Sequence, residues 1–260
     1  MEEYAFIDQV GKILLFYTPS CESTQDLVPA CAAQAGGKHP TALLTFHQTR
    51  GRGQQDRTWE AEPGKNLALS VWLPLKNPRP DTFPLLNMAL TTAITKTIIN
   101  IGISAEIKWP NDLRCRSAKL SGILMETHSD KSAGKFLCIG IGVNVNQTGF
   151  EQMSQPATSL KILTGKDYNL MDLANAMLVS LQTAFKAWEK QPDNISFLND
   201  FNDLLEGRNQ ECLAETADGQ AFRCRLTGVD VQGRIVLETD NEIKAMHHGT
   251  VRLKTCFSNE

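Results

Sequence analysis

Residues 108–126 read KWPNDLRCRSAKLSGILME and contain the most informative pattern in this chain. We predict a strand over 105–109 that stops at Pro110, because proline cannot donate a hydrogen bond to a sheet ladder. The segment Asn111-Asp112 is then typical of a turn. A second strand is predicted over 119–126, where an apolar run directly follows Lys119. The ammonium group of Lys119 is therefore expected at the rim of a sheet.

A cationic, glycine-rich segment precedes this motif. Residues 45–59 read TFHQTRGRGQQDRTW, and the apolar run over 41–46 that leads into them predicts a buried strand. Glycines let the backbone approach a ligand closely, and the guanidinium groups of Arg50 and Arg52 can fork onto carboxylate or phosphate oxygens. Alone, the segment fits a solvated basic turn as well as an anion-binding loop. Other parts of the chain decide between the two.

The hydrophobic pattern predicts an α+β domain followed by a small all-β module. Further strands are predicted over 13–17, 66–73 and 135–146, and helices over 85–99, 170–188 and 195–205. Beyond residue 208 the pattern changes to short strands separated by Asp-Gly and Gln-Gly turns, which predicts a small barrel. Because strands and helices do not alternate strictly, we expect an α+β domain over 1–207 and a β domain over 208–260.

A further helix is predicted to begin near Ser23 and to stop at Gly36-Gly37. Pro29 lies inside it and is expected to kink the helix or to shift its start. Capping alone would explain the presence of Ser23 and Thr24.

Composition excludes several function classes. The 260 residues are 42% hydrophobic and 21% charged, which is ordinary for a globular protein, and the net charge of -3 argues against bulk binding to nucleic acid or anionic membrane. No run of 18 apolar residues predicts a membrane-spanning helix, and the acidic start of the chain lacks the features of a signal peptide. Seven cysteines without a CxxC pair indicate reduced thiols in a cytosolic protein and no structural zinc.

Four polar clusters interrupt the apolar strands and together suggest a reaction. They are Gly51-Arg52-Gly53, Lys108-Trp109-Pro110-Asn111-Asp112, Lys119, and Gly140-Ile141-Gly142-Val143-Asn144. The set offers two cations for negative oxygens, a carboxylate suited to Mg²⁺, and two Gly/Asn loops that could pass close to a nucleotide. This inventory fits adenylation of a carboxylic acid, in which fixed cations and Mg²⁺ stabilise charge that builds up on phosphate oxygens.

In this order, the motifs resemble those of biotin protein ligases (biotin–[acetyl-CoA-carboxylase] ligases), from about Ser23 to the C-terminus. The most specific part is Lys-Trp-Pro-Asn-Asp followed seven residues later by Lys-Leu-x-Gly-Ile-Leu, whereas a lone Gly-Arg-Gly says little. The matching motifs are Glu22-Ser23-Thr24-Gln25, Gln48-Thr49-Arg50-Gly51-Arg52-Gly53 with Arg57 and Trp59, Lys108 to Asp112, Lys119 to Glu126, and Gly140 to Asn144.

The resemblance implies a mixed sheet with helices like the core of class II aminoacyl-tRNA synthetases, followed by an SH3-like barrel. It implies that Lys119 and Arg52 are the catalytic cations and that Asp112 helps to place Mg²⁺. By the same resemblance, biotin contacts Ser23, Thr24, Gln25, Gln48, Arg52, Gly53, Gln54, Lys119 and Gly122. ATP and the adenylate would contact Arg52, Arg57, Trp59, Trp109, Asn111, Asp112, Lys119 and Asn144.

The implied activity is ATP-dependent biotinylation, through biotinyl-5′-AMP, of a lysine on the biotin carboxyl carrier domain of a biotin-dependent carboxylase in the cytoplasm. Because the anhydride reacts with water, the loop over 50–57 and the loop after Asn146 are expected to cover it and to be mobile without ligand. Relatives that also repress transcription carry a winged-helix domain before this core. The segment before Ser23 is too short for one, so DNA binding is not expected. The net charge and the lack of a long apolar run likewise predict no membrane partner.

Two positions depart from the pattern of the family. Gln54 stands where the family often has a second arginine, and Asp56 stands where it has a later glycine. With one fewer cation over the adenylate, we expect the intermediate to be retained less tightly.

Two other functions remain as alternatives. Lipoate or octanoate ligases and transferases share a related fold, but they lack the Lys-Trp-Pro-Asn-Asp signature in this form. A non-catalytic nucleotide- or RNA-binding module built on the Arg/Gly loop is disfavoured by the acidic net charge and by the absence of a basic face interleaved with aromatic residues.

Overall fold

The structure, a computed structural model, describes residues 4–54, 57–130, 134–150 and 155–257. The helices in these ranges are α1 (Thr24–Gln34), α2 (Phe83–Asn100), α3 (Leu160–Thr164), α4 (Leu170–Lys190) and α5 (Ser196–Asp203), with a 3₁₀ turn at Pro80–Thr82. The strands up to residue 143 are β1 (Ala5–Val10), β2 (Ile13–Tyr17), β3 (Thr41–Thr45), β4 (Gly51–Arg52), β5 (Thr58–Trp59), β6 (Leu67–Leu75), β7 (Glu106–Lys108), β8 (Asp112–Cys115), β9 (Ala118–Asp130) and β10 (Gly134–Val143). Five more follow: β11 (Glu211–Thr216), β12 (Ala221–Val229), β13 (Ile235–Glu238), β14 (Ile243–Met246) and β15 (Val251–Phe257).

The main sheet has eight strands in the order β1-β2-β3-β6-β10-β9-β8-β7. It is mixed, because β2 and β3 run parallel whereas the other neighbours run antiparallel. In β6 the neighbours Val71 and Trp72 belong to different hydrophobic clusters, as expected when successive side chains point to opposite faces. One face packs against α2 and α4, and the other packs against α1. The sheet is thus the middle of three layers.

The amphipathic pattern of α4 was predicted correctly. Leu173, Met177, Leu181, Phe185 and Trp188 form its buried stripe and join the main core. The helix begins at the N-cap Asn169, whose side chain accepts hydrogen bonds from the backbone of the first turn.

The C-terminal sheet is antiparallel, in the order β14-β13-β12-β11-β15. Its apolar side chains, such as Leu226 and Ile235, form a core that also contains Leu85 and Met88 of α2 and Phe201 of α5. The predicted fold class, an α+β domain with a mixed sheet followed by an all-β module, is confirmed. The division at residue 208 stays a prediction.

Several local predictions need correction. Asp112 begins strand β8 rather than ending a turn, and the predicted loop over 50–57 contains a two-stranded ribbon of β4 and β5. The edge strands β1 and β14 were missed. Strand β1 is exposed along nearly its whole length, so it does not need the alternation of apolar and polar residues by which a half-buried strand is recognised.

Pro29 does not shift the start of helix α1. The helix runs through it from Thr24 to Gln34. A proline leaves the carbonyl four residues earlier without its usual donor. That carbonyl, of Gln25, receives the thiol of Cys138 at 3.8 Å instead.

The prediction that the cysteines are reduced is only partly right. Cys31, Cys115, Cys138 and Cys224 are free thiols, and burial raises the pKa of the Cys31 thiol to about 12. Cys212 is disulfide-bonded, so the prediction is wrong there. Among the helices in the described ranges, none is long and apolar enough to cross a membrane.

Candidate active site

A cavity of about 930 Å³ lies between the main sheet and the C-terminal sheet. Its wall includes the start of α1, the β4–β5 ribbon, the glycines of β10, and the polar segment that joins β7 to β8. The C-terminal module closes one side with residues 248–254. Segments far apart in the sequence therefore meet at one site.

The structure brings almost all the predicted site residues to this cavity. Those that line it are Ser23, Thr24, Gln25, Gln48, Arg52, Gly53, Gln54, Arg57, Trp59, Trp109, Asn111, Asp112, Lys119 and Gly122. Asn144 is not among the described residues that line the cavity. It is buried behind Lys119, and its Nδ2 donates to the Lys119 carbonyl at 3.4 Å. Asp56 and residues 151–154, part of the loop after Asn146, lie outside the described residues.

One end of the cavity is a buried network of hydroxyl and amide groups. Gln48 Oε1 accepts from the backbone N–H of Thr24 at 2.8 Å, and Thr24 Oγ1 lies 2.8 Å from Ser70 Oγ. Ser70 Oγ in turn donates to Gln25 Oε1 at 3.2 Å. Ser23 is different: its buried Oγ finds no hydrogen-bond partner in the part of the chain that the structure describes. A buried hydroxyl without a partner costs free energy, so this end is suited to a ligand with polar groups.

Two glycines of β10 make room for the wall of the cavity. A Cβ atom at Gly140 would overlap the side-chain amide of Gln25, and one at Gly142 would overlap the ring of Trp59. The Gly-x-Gly pattern of this strand thus has a packing cause. It lets one helix residue and one ribbon residue lie directly on the sheet.

Lys119 and Asp112 form an ion pair beside this end. Lys119 Nζ lies 2.8 Å from Asp112 Oδ1, and both side chains are about one-fifth exposed. The ammonium also lies 5.6 Å from the centre of the Trp59 ring. The backbone of Lys119 is fixed by Pro156 and Thr158, each through a hydrogen bond of 2.9 Å. The position of the ammonium is therefore defined by its neighbours on several sides.

Arg52, the second predicted cation, is held by two carboxylates. Its Nη1 bonds Asp26 Oδ1, and its Nη2 donates to Glu126 Oε1 at 2.7 Å. The side chain is 43% exposed. The positive charge of Arg52 is thus directed at protein carboxylates.

Sequence reasoning missed several residues of the site. Glu126 was given no role. It is not among the described residues that line the cavity, but it bonds two that do, Gln25 and Arg52, and it follows Gly122 and Leu124 on the same face of β9. Ser70 is likewise a polar residue inside an apolar strand. These two signals were available in the sequence.

Lys108 and His248 are also part of the wall. Burial lowers the pKa of Lys108, and the nearby charge of Arg114 acts in the same direction. The His248 ring meets the Trp109 ring edge-on, with centroids 5.4 Å apart. Burial lowers the pKa of His248, and Arg57 adds to this effect while Asp112 opposes it. The sequence did not identify His248 as a site residue, since nothing local shows that the C-terminal module reaches the site.

The sequence profile of the Biotin/lipoate A/B protein ligase family matches residues 17–146. The chain is 27% identical over 243 residues to the bifunctional ligase/repressor BirA of Bacillus spizizenii, covering 92% of this chain and 74% of that protein. It is 27% identical over 233 residues to the biotin--[acetyl-CoA-carboxylase] ligase of Mycobacterium tuberculosis, covering 88% of this chain and 85% of that one.

The fold comparison agrees with the sequence comparison. A biotin protein ligase from Aquifex aeolicus, solved in complex with biotin and ATP, superimposes with a TM-score of 0.76 at 25% identity. The superposition covers 92% of this chain and 98% of that one. With half of its length matched by the family profile, this chain belongs to the biotin/lipoate A/B protein ligase family.

Proposed function

We propose that this protein is a biotin–protein ligase that works in two steps. Biotin and ATP first give biotinyl-5′-AMP and pyrophosphate. A lysine of a biotin carboxyl carrier domain then attacks the biotinyl carbonyl and releases AMP. The observation that carries the proposal is the buried polar network with the Ser23 hydroxyl, which has no hydrogen-bond partner among the described residues, in one cavity with the Lys119 ammonium.

The polar end of the cavity suits the ring of biotin. A ureido ring presents two N–H donors and one carbonyl acceptor, so it needs partners of both kinds. Ser23, Thr24, Gln25 and Gln48 supply hydroxyl and amide groups there. We assign the ring to these residues, with the valeryl chain running towards Gly122.

Lys119 is assigned to the reacting end. In the first step a carboxylate oxygen of biotin bonds to the α-phosphorus of ATP while the bond to pyrophosphate breaks. Negative charge then spreads over phosphate oxygens, and a fixed ammonium stabilises it. Since the substrate provides the nucleophile, the step needs no nucleophilic side chain. Lys119 also stays next to the carbonyl and phosphate for the second step.

The β4–β5 ribbon is assigned as the cover. It brings Arg52, Gly53, Gln54 and Trp59 to the cavity wall. A mixed anhydride must be kept from water until the carrier lysine arrives, so a ribbon that closes over it limits wasteful hydrolysis. Arg57 and Trp109 are assigned to the nucleotide with Asn111, whereas Asn144 supports Lys119 from behind.

Mg²⁺ enters as the complex with ATP. The described residues offer no group of three acidic, histidine or cysteine side chains that would hold a metal on their own. This fits an ion that arrives on substrate phosphates and keeps much of its water shell. Asp112 uses one carboxylate oxygen for Lys119, and we assign the other to Mg²⁺.

We further propose residues 1–207 as the catalytic domain and 208–260 as the module that completes the nucleotide side. The acceptor is the carrier domain of a biotin-dependent carboxylase, and the compartment is the cytoplasm, where ATP is supplied.

One assay tests the function and its nearest alternative. The protein is incubated with Mg²⁺–ATP, a biotin carboxyl carrier domain and either labelled biotin or labelled lipoate. We expect label on the carrier from biotin only. Transfer of lipoate and not biotin would favour the lipoate ligases of the same family, and no transfer of either would contradict the proposal.

A further inference from the structure

Glu126 contacts two different parts of the cavity wall. One carboxylate oxygen accepts from Gln25 Nε2 at 2.9 Å, and the other accepts from Arg52 Nη2 at 2.7 Å. Gln25 lies in helix α1, at the polar end of the cavity, whereas Arg52 lies in the ribbon. A single carboxylate therefore joins the floor of the proposed biotin site to its cover.

The amide of Gln25 has one defined orientation. A carboxylate can only accept hydrogen bonds, so the nitrogen of Gln25 must face Glu126, and the oxygen faces the donor Ser70 Oγ. Gln25 is buried, and the missing side chain of Gly140 provides the space that its amide fills. A ligand that bonds this amide will therefore influence how firmly it holds Glu126.

The ion pair of Arg52 with Glu126 is better shielded from water than its ion pair with Asp26. The side chain of Glu126 is 28% exposed, whereas that of Asp26 is 58% exposed. Water and salt weaken the more exposed pair to a greater extent. Asp26 bonds Arg52, whereas the hydrogen bond of the Gln25 amide nitrogen goes to Glu126, so the two carboxylates connect Arg52 to different parts of the site.

We infer that Glu126 is a positioning residue that transmits occupancy of the floor at Gln25 to the ribbon at Arg52. A ligand bonded to the amide of Gln25 fixes that amide, the fixed amide orients Glu126, and the oriented carboxylate holds the ribbon closed. This inference rests on the proposed function, because it takes biotin as the ligand.

Trypsin cleavage within 50–57 measures opening of the ribbon, since cleavage follows the population of the open form when closing is fast. The wild-type chain is compared with the variants Glu126→Gln and Asp26→Asn. Each protein is digested without biotin and with biotin at a saturating concentration, which is set from the Kd measured for that protein by calorimetry. In the wild type, biotin should slow cleavage about fivefold or more. Glu126→Gln should still bind biotin, but its cleavage rates with and without biotin should differ by less than about twofold. Asp26→Asn should raise the ligand-free rate and keep the wild-type protection ratio.

A ligand-free comparison tests the same link without relying on biotin affinity. Gln25→Ala should speed cleavage about threefold in the wild-type background and should add nothing in the Glu126→Gln background. Thermal unfolding of each variant checks that the fold persists.

Normal protection by biotin in Glu126→Gln, or equal acceleration by Gln25→Ala in both backgrounds, would overturn the inference alone. If the wild type did not bind biotin, the proposed function would be wrong. Biotin could then not be the ligand whose occupancy Glu126 transmits.

Discussion

Lys119 and Arg52, the two cations implicated by the sequence, differ in their surroundings. Lys119 faces one carboxylate and the face of an aromatic ring, and it lies at the cavity wall. Arg52 is shared between two carboxylates of the protein. Of the two, Lys119 is more available to a developing negative charge, and Arg52 is better placed to hold the ribbon.

Lys119→Ala should lower the rate of biotinyl-adenylate formation about a hundredfold or more, because it removes a cation from the transition state. Single-turnover formation of the adenylate measures this rate. Lys161→Ala is the matched control, since Lys161 also forms a 2.8 Å ion pair, with Asp167, but lies in helix α3. A full rate in Lys119→Ala would exclude the assigned role.

Ser23→Ala should weaken biotin binding about tenfold while leaving stability almost unchanged. The reason is that Ser23 Oγ bonds to none of the described residues, although Ser23 is the N-cap of α1. Calorimetric titration and thermal unfolding give the two quantities.

Ser159→Ala provides the comparison for Ser23. Ser159 caps helix α3, and its side chain accepts from the backbone of Ile162. Its loss should cost about 1 kcal/mol of stability and leave biotin affinity unchanged. If Ser23→Ala behaved in the same way as Ser159→Ala, the Ser23 hydroxyl would be a structural group rather than a ligand partner.

Local sequence predicted Lys119 and Asp112 because a short motif contains both residues. It could not predict that Arg52 is neutralised, since its partners lie 26 and 74 residues away along the chain. His248 was missed for the same reason. Motifs identify which side chains belong to a site, whereas the pairing among them depends on the tertiary fold.

At the scale of elements, strand β10 determines how the ribbon lies on the sheet. Because its two glycines lack a side chain, the amide of Gln25 packs directly on Gly140 and the ring of Trp59 packs directly on Gly142. The ribbon pairs across Gly51 and Trp59, so the position of that ring also sets the position of β4. A strand with side chains at these two positions would hold both α1 and the ribbon away from the cavity.

Gly142→Ala should displace the Trp59 ring and lower adenylate formation about tenfold to a hundredfold, because small misplacements near a reaction are costly. Gly122→Ala is the matched change. There a Cβ would meet Lys119 and Asp112 at an ordinary 3.4 Å, so the ribbon should stay in place.

Trypsin sensitivity of the ribbon distinguishes the two glycine variants. It should rise in Gly142→Ala and stay at the wild-type level in Gly122→Ala. Equal sensitivity in both would show that the ring does not locate the ribbon.

At the scale of the molecule, the two sheets are not independent. The core beneath the C-terminal sheet includes residues of α2, whose other side packs in the main core. The backbone of Ile107 also bonds Leu204 and Glu206 just before the module begins. Helix α2 thus belongs to both cores. Unfolding of either sheet would expose apolar side chains of α2 and so destabilise the other sheet.

Leu226→Ala should therefore destabilise the whole protein by about 2–5 kcal/mol within a single unfolding transition. Leu226 is fully buried in the C-terminal core. Scanning calorimetry measures the transition, and Ile243→Ala, at an exposed position of the same module, should change stability by less than about 0.5 kcal/mol. Two separate transitions, only one of them shifted by Leu226→Ala, would contradict a shared core.

The indole of Trp109 links the two modules through one hydrogen bond. Its Nε1 donates to the carbonyl of Gly233 at 3.0 Å, and Gly233 sits in the turn that leads into β13. A chimaera that combined this catalytic sheet with the last fifty residues of a relative would have to reproduce that turn. A module that placed a different backbone there would leave the indole without this acceptor and would change its orientation at the cavity wall. Compatibility at this turn therefore limits which natural C-terminal modules can be exchanged among these enzymes.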